Sequence, residues 1–220
     1  VFAETNYVGF KPYPDLVSGC KGADISIFDF ITREQLSLAN KYKKSVLLHL
    51  PRKGRYADDK NIAELKEIAD SYPDLKVIIA HLGRCFNLSV FEQAIEKMGN
   101  YFDWFWYDTA AVSNPNVLKL AFERILPSRI MFGQDMHIFL WHGFRTWTKD
   151  QYFNICREDL KWKRVLEDES AQENYTFYLY VQMKNILDTM DALNLSNQHK
   201  AQYFKENANQ LFGNIVLANN

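Results

Sequence analysis

Cysteine is scarce in this sequence. Three residues in 220 (Cys20, Cys85 and Cys156) stand far apart with no C-x-x-C pair. That argues against a disulfide framework and fits reduced thiols in the cytosol, so a cytoplasmic location is expected. No charge of either sign dominates: 26 Lys+Arg against 27 Asp+Glu, with no basic stripe and no acidic tail. Neither nucleic acid nor an anionic membrane surface is therefore an expected partner. No apolar run approaches the ~18 residues of a membrane span. The opening VFAETNYVGF lacks the basic-then-apolar order of a signal peptide. No Gly-rich phosphate loop follows a strand-like run, which disfavours a nucleotide-binding doubly wound fold. No G-x-S-x-G elbow, internal repeat or low-complexity segment occurs. With 47% hydrophobic residues the chain suits one sizeable core, and one domain over 1–220 is expected.

What is present is an alternation of two periodicities. Short β-rich apolar runs lie near 6–12, 45–50, 75–81, 102–108 and 129–134, and helical patterns separate them. TREQLSLANKYKK predicts a helix capped by Thr32 and Gln35. DDKNIAELKEIADSYP predicts one with Asp58 or Asp59 as N-cap and Pro73 as stop. NLSVFEQAIEKMGN carries a Ser89/Glu92 capping box, and SNPNVLKLAFERILP begins at Ser113 or Asn114 with Pro115 in its first turn. Strands spaced by helices imply right-handed βαβ units and a parallel sheet. The region 150–200 reads as more polar, aromatic and helical.

Parallel α/β folds place their chemistry at the C-terminal ends of strands. Those ends here are Lys11, His49, His81, Asp108 and Asp135. Two histidines and an aspartate on different strands are ligand types that zinc accepts. The plain alternatives stand beside this reading: a histidine ending a strand is commonly just hydrogen-bonded, and an Asp after Phe-Gly is often a turn former or N-cap.

The segments VLLHLP, VIIAHLGR, WYDTA, RIMFGQD and KENANQLFG, in this order, resemble the amidohydrolase superfamily, specifically its amidohydrolase-2 group of metal-dependent TIM-barrel hydrolases and decarboxylases. YVGFKPYP is similar to that group's fourth-strand G-x-K stretch. The resemblance implies an α/β fold of the (β/α)8 type, with His49, His81 and Asp135 as ligands of a divalent metal, most naturally zinc. It implies an activity as a hydrolase of a small organic acid, amide or lactone through a metal-activated water. Asp135 and His81 would be the catalytic groups, and non-oxidative decarboxylation of an aromatic acid is the alternative. The family's first strand carries an H-x-H pair, and no H-x-H occurs here. With Val1 at the start, the expectation is the C-terminal part of such a barrel, strands four to eight, with a long helical C-terminal region. An upstream segment or a second copy of the chain would then complete the sheet; a truncated, inactive barrel half is the reading from another class.

Arg52, Arg55 and Arg84 follow the two histidine strands, and a guanidinium fork suits a substrate carboxylate. They and Lys11 are the candidate substrate-binding residues for a small-molecule substrate. His137 and His142, just past Asp135, are weaker candidates for the same pocket. Cys85 reads as a buried, inert thiol, and Trp104, Phe105 and Trp106 as packing against outer helices.

Overall fold

The computed structural model describes residues 7–17, 24–148, 151–158 and 172–213. Five strands, β1 (Gly9–Phe10), β2 (Ser45–Leu48), β3 (Lys76–Ile79), β4 (Trp106–Asp108) and β5 (Ile130–Met131), form one sheet in sequential order. Every neighbouring pair is parallel. Leu48 stands opposite Ile79, Ile79 opposite Tyr107, and Asp108 opposite Met131. Four helices fill the crossovers: α2 (Arg33–Lys41), after a short α1 (Ile27–Phe30), then α3 (Asp59–Ser71), α4 (Leu88–Met98) and α5 (Pro115–Arg124). After β5 come an antiparallel hairpin, β6 (Gly143–Trp147) with β7 (Tyr152–Cys156), and α6 (Tyr178–Ala192). The described residues close with α7 (Asn197–Ala201), a π-turn at Gln202–Glu206 and α8 (Asn207–Phe212).

The strands are apolar on both faces, as parallel strands covered on both sides must be. Val46, Leu48, Val77, Ile79, Tyr107 and Ile130 pack outward into a core shared with Leu36, Leu65, Ile68, Phe91, Leu118 and Ile186 of the helices. Leu47, Ile78, Trp106 and Met131 face the other way, onto Ala208, Leu211 and Phe212 of α8. Trp106 thus lies on the inner face, against the expectation of outer packing; Arg129 stacks on its ring at 4.8 Å. Asparagine and glutamine side chains tie the loops down. Gln182 Nε2 donates to the carbonyls of Thr109 and Gly133, and Asn207 Nδ2 to those of Pro127 and Ile130.

Most helix starts follow their caps. Thr32 and Gln35 make the reciprocal capping box, Asp58 accepts from Lys60 and Asn61, and Asn114 accepts from Asn116 ahead of Pro115. Four expectations need correction. The Ser89/Glu92 box does not start α4; the backbone is already helical at Leu88, and extended Asn87 is its N-cap. The strand expected over 102–108 is cut to Trp106–Asp108, because a tight 3₁₀ turn over Gly99–Trp104 buries Phe102 first. The helical reading of 150–200 holds for α6 and the start of α7, but 152–156 is a strand, and 159–171 lies outside the described residues. The strand expected over 6–12 shrinks to two residues, since Pro12 and Pro14 have no N–H to offer a neighbour.

Candidate active site

β2 and β3 deliver His49 and His81 to the same rim. His49 directly follows Leu48; Ala80 N donates to the Leu48 carbonyl at 3.0 Å, which carries the pairing one residue past the strand. His81 then opens a left-handed turn. His81, Leu82, Gly83 and Arg84 all have φ between 49° and 69°. For L residues the left-handed conformation costs roughly 1–2 kcal/mol each, so His81, Leu82 and Arg84 together store about 3–6 kcal/mol. Asp108, buried at the end of β4, holds the turn: one carboxylate oxygen accepts from His81 N at 2.9 Å and from Ala110 N at 2.8 Å. Gly83 is the fourth member for a steric reason as well. A Cβ there would lie 2.5 Å from Cβ of buried Tyr56.

The turn aims one ring nitrogen. His81 Nδ1 lies 2.9 Å from the Ala110 carbonyl, which can only accept, so in the neutral ring Nδ1 bears the proton and Nε2 the lone pair. That Nε2 lies 3.1 Å from His49 Nε2 and 3.8 Å from an Asp135 carboxylate oxygen. The His49 ring is stacked on Tyr13 at 5.3 Å, and its Nδ1 is buried without a partner among the described residues. Burial, then the nearby His81, Lys11 and Arg84, push the His49 pKa down to about 3. His49 is therefore neutral near pH 7.

Two imidazoles and a carboxylate are a donor set suited to a divalent ion. Two nitrogens bound tetrahedrally at ~2.0–2.1 Å would lie about 3.3–3.4 Å apart. The observed 3.1 Å needs a shift of a few tenths of an ångström, and Asp135 one of about half an ångström. Among the described residues no three His, Cys, Asp or Glu side chains close on one point as they stand. The residues fit an ion as a partial ligand set.

Around them lies a cleft of about 410 Å3 lined by Tyr13, Asp15, Arg84, Phe86, Trp141, Arg145 and Tyr152 among others. Arg84 reaches it, as expected. Burial first, then Arg55 and Arg145, depress its pKa, and it bonds no described residue. Arg52 does not reach it. Its guanidinium is buried and held by both Glu64 oxygens at 2.7 and 2.9 Å and by Asn61 at 2.6 Å, so the substrate-binding role expected for it gives way to a structural ion pair. Lys11 is exposed, 5.2 Å over the Tyr13 ring, and Arg55 acts on Arg84 only through its charge; neither lines the cleft. His137 and His142 also stay outside it, His142 bonded to Glu158 at 2.7 Å. Cys85 is buried, and burial raises its thiol pKa, as expected of an inert cysteine. Arg145 was not foreseen. It enters the cleft from β6, and the two-residue alternation of GFRTW and YFNIC was the signal for the hairpin that carries it.

A family model described as "Amidohydrolase" matches residues 8–213. The chain belongs to the amidohydrolase family. Two solved structures share its fold. One is the 4-oxalomesaconate hydratase LigJ of Rhodopseudomonas palustris: TM-score 0.52, 16% identity, 93% of this chain covered and 55% of that one. The other is an amidohydrolase of Burkholderia multivorans: TM-score 0.56, 9% identity, 93% and 64% covered. No curated protein matches the sequence significantly. The chain thus spans roughly half to two-thirds of these relatives' lengths, and its five-stranded parallel sheet is part of their TIM barrel. Among the described residues no helix is long and apolar enough to cross a membrane.

Proposed function

We propose that this amidohydrolase-family chain carries the active site of a metal-dependent hydrolase acting on a small organic acid, amide or lactone. The observation that carries the proposal is the approach of both His49 Nε2 and the Asp135 carboxylate to His81 Nε2 at the strand ends. His49 and His81 would hold a divalent ion, zinc by ligand type, with Asp135 beside it. Such an ion supplies a water whose pKa falls toward ~7 and a Lewis acid for the substrate carbonyl. The chain's own residues do the rest. Asp108 and the Ala110 carbonyl fix the His81 ring and tautomer, and Tyr13 stacks behind His49. Asp135, partly open to the cleft, is placed to take a proton from water and return it to the leaving group. Arg84, which lines the cleft, supplies a guanidinium for a substrate carboxylate.

A second reading, decarboxylation of an aromatic acid, draws on the cleft's rings: Phe86 and Tyr152 meet edge-on at 4.7 Å beside Trp141. Product analysis separates the two. Zinc- or manganese-loaded protein is incubated with panels of amides, lactones and hydroxybenzoates, and released acid is measured against released CO2. Turnover of any panel that is lost in His81→Ala supports a metal-dependent enzyme, and the product tells which. Metal-loaded protein that turns over no panel member refutes the proposal.

A further inference from the structure

The cleft contains a cation that the proposed chemistry does not use. Arg145 is buried, yet no carboxylate among the described residues pairs with it. Its Nε donates to Asn154 at 2.7 Å, and one terminal nitrogen donates to the Ala111 carbonyl. Three rings surround the guanidinium carbon: Phe86 at 4.1 Å, Tyr178 at 5.4 Å and Tyr152 at 5.5 Å. The group is thus fixed by neutral acceptors and aromatic faces, which orient a charge without cancelling it. The hairpin is built around this placement. Gly143 at the start of β6 lets the backbone pass where any Cβ would lie 2.0 Å from the Ile155 carbonyl oxygen, and Asn154 lies opposite Arg145 in the register. Arg84 lines the same cleft and also lacks an ion partner among the described residues. Repulsion between the two guanidiniums contributes to the lowered pKa of Arg84. Against them the described lining offers two carboxylates, Asp15 and Asp135, and the second is committed to the histidine rim.

We infer that Arg145, with Arg84, forms a carboxylate clamp that makes the substrate an organic dianion, a dicarboxylate, rather than a neutral amide or lactone. The clamp rests on the proposed active site for its catalytic meaning but not for its binding. A planar anion fits: one carboxylate takes the free edge of the Arg145 fork while its carbon skeleton lies among Phe86, Trp141 and Tyr152. Arg145 acts here as a specificity-determining residue.

The test is calorimetric titration of EDTA-treated protein with phthalate, benzoate and benzamide, which share one ring and differ in charge. Phthalate should bind at least about tenfold tighter than benzoate, with benzamide weakest. Arg145→Gln and Arg84→Gln should each cost phthalate about tenfold or more and move benzamide little. If Arg145→Gln fails to fold, Arg84→Gln decides, since its guanidinium holds no described residue in place. Equal affinity for phthalate and benzamide, or phthalate affinity untouched in the folded arginine variants, overturns the clamp. His81→Ala separates the two proposals: metal retained there counts against the active site alone, whereas charge-blind binding counts against the clamp alone.

Discussion

Gly83→Ala should be among the most damaging single-methyl substitutions available in this protein. Gly83 sits at φ +69° inside the turn that presents His81. An alanine there carries the left-handed penalty of roughly 1–2 kcal/mol. Its Cβ would also lie 2.5, 2.7 and 2.8 Å from Cβ, Cγ and Cδ1 of Tyr56. Tyr56 cannot retreat: it is fully buried, and its hydroxyl bonds that of Tyr107 at 2.8 Å. Overpacking a rigid core typically adds 1–3 kcal/mol, for a total of about 2–5 kcal/mol. In a chain of this size 1 kcal/mol moves Tm by about 2–4 °C, so a loss of roughly 4–20 °C is expected in a thermal melt followed by circular dichroism. Whatever folds should have His81 displaced, with metal affinity falling alongside Tm. A variant that melts within about 1 °C of wild type would show that the turn is not held as described.

Arg52→Met should lower stability by roughly 3–5 kcal/mol in urea unfolding, because it leaves Glu64 part-buried and uncompensated; a raised KM at unchanged stability would restore the substrate-binding role. The pH dependence follows from His49. Its folded pKa of about 3 lies below its ordinary 6.5, so the unfolded chain binds the extra proton first. Its contribution to stability is whole above pH ~6.5 and falls as pH drops toward 3, by up to about 1.4 kcal/mol per unit. His49→Asn in metal-free protein should flatten that part of the profile. A His49 ring resonance titrating near 6.5 in the folded protein would refute the buried, neutral assignment.

Side-chain placement was legible where it depends on strand ends and obscure where it depends on partners remote in sequence. The common rim of His49, His81 and Asp135 could be read because an apolar run ends at a fixed place in a parallel sheet, and registry then brings the ends together. Arg52 looked the same from the sequence. That it turns away depends on Asn61 and Glu64, nine and twelve residues further on, and nothing in the string marks them as its partners. Arg145 went unread because the two-residue alternation that marks its hairpin runs over only five residues in each strand. The order of the sheet was open to reading, since alternation and right-handed crossovers leave few topologies. Strand lengths were not, because they depend on where a proline or a tight turn interrupts pairing.

Zinc titration by equilibrium dialysis, near neutral pH, tests the central claim most directly. Wild-type protein should bind zinc, and His49→Ala and His81→Ala should each weaken binding by more than the roughly 10- to 100-fold that loss of a supporting partner costs, while Arg84→Gln leaves it unchanged. Zinc affinity equal in wild type and both histidine variants would contradict the assignment of these strand ends as a shared metal site.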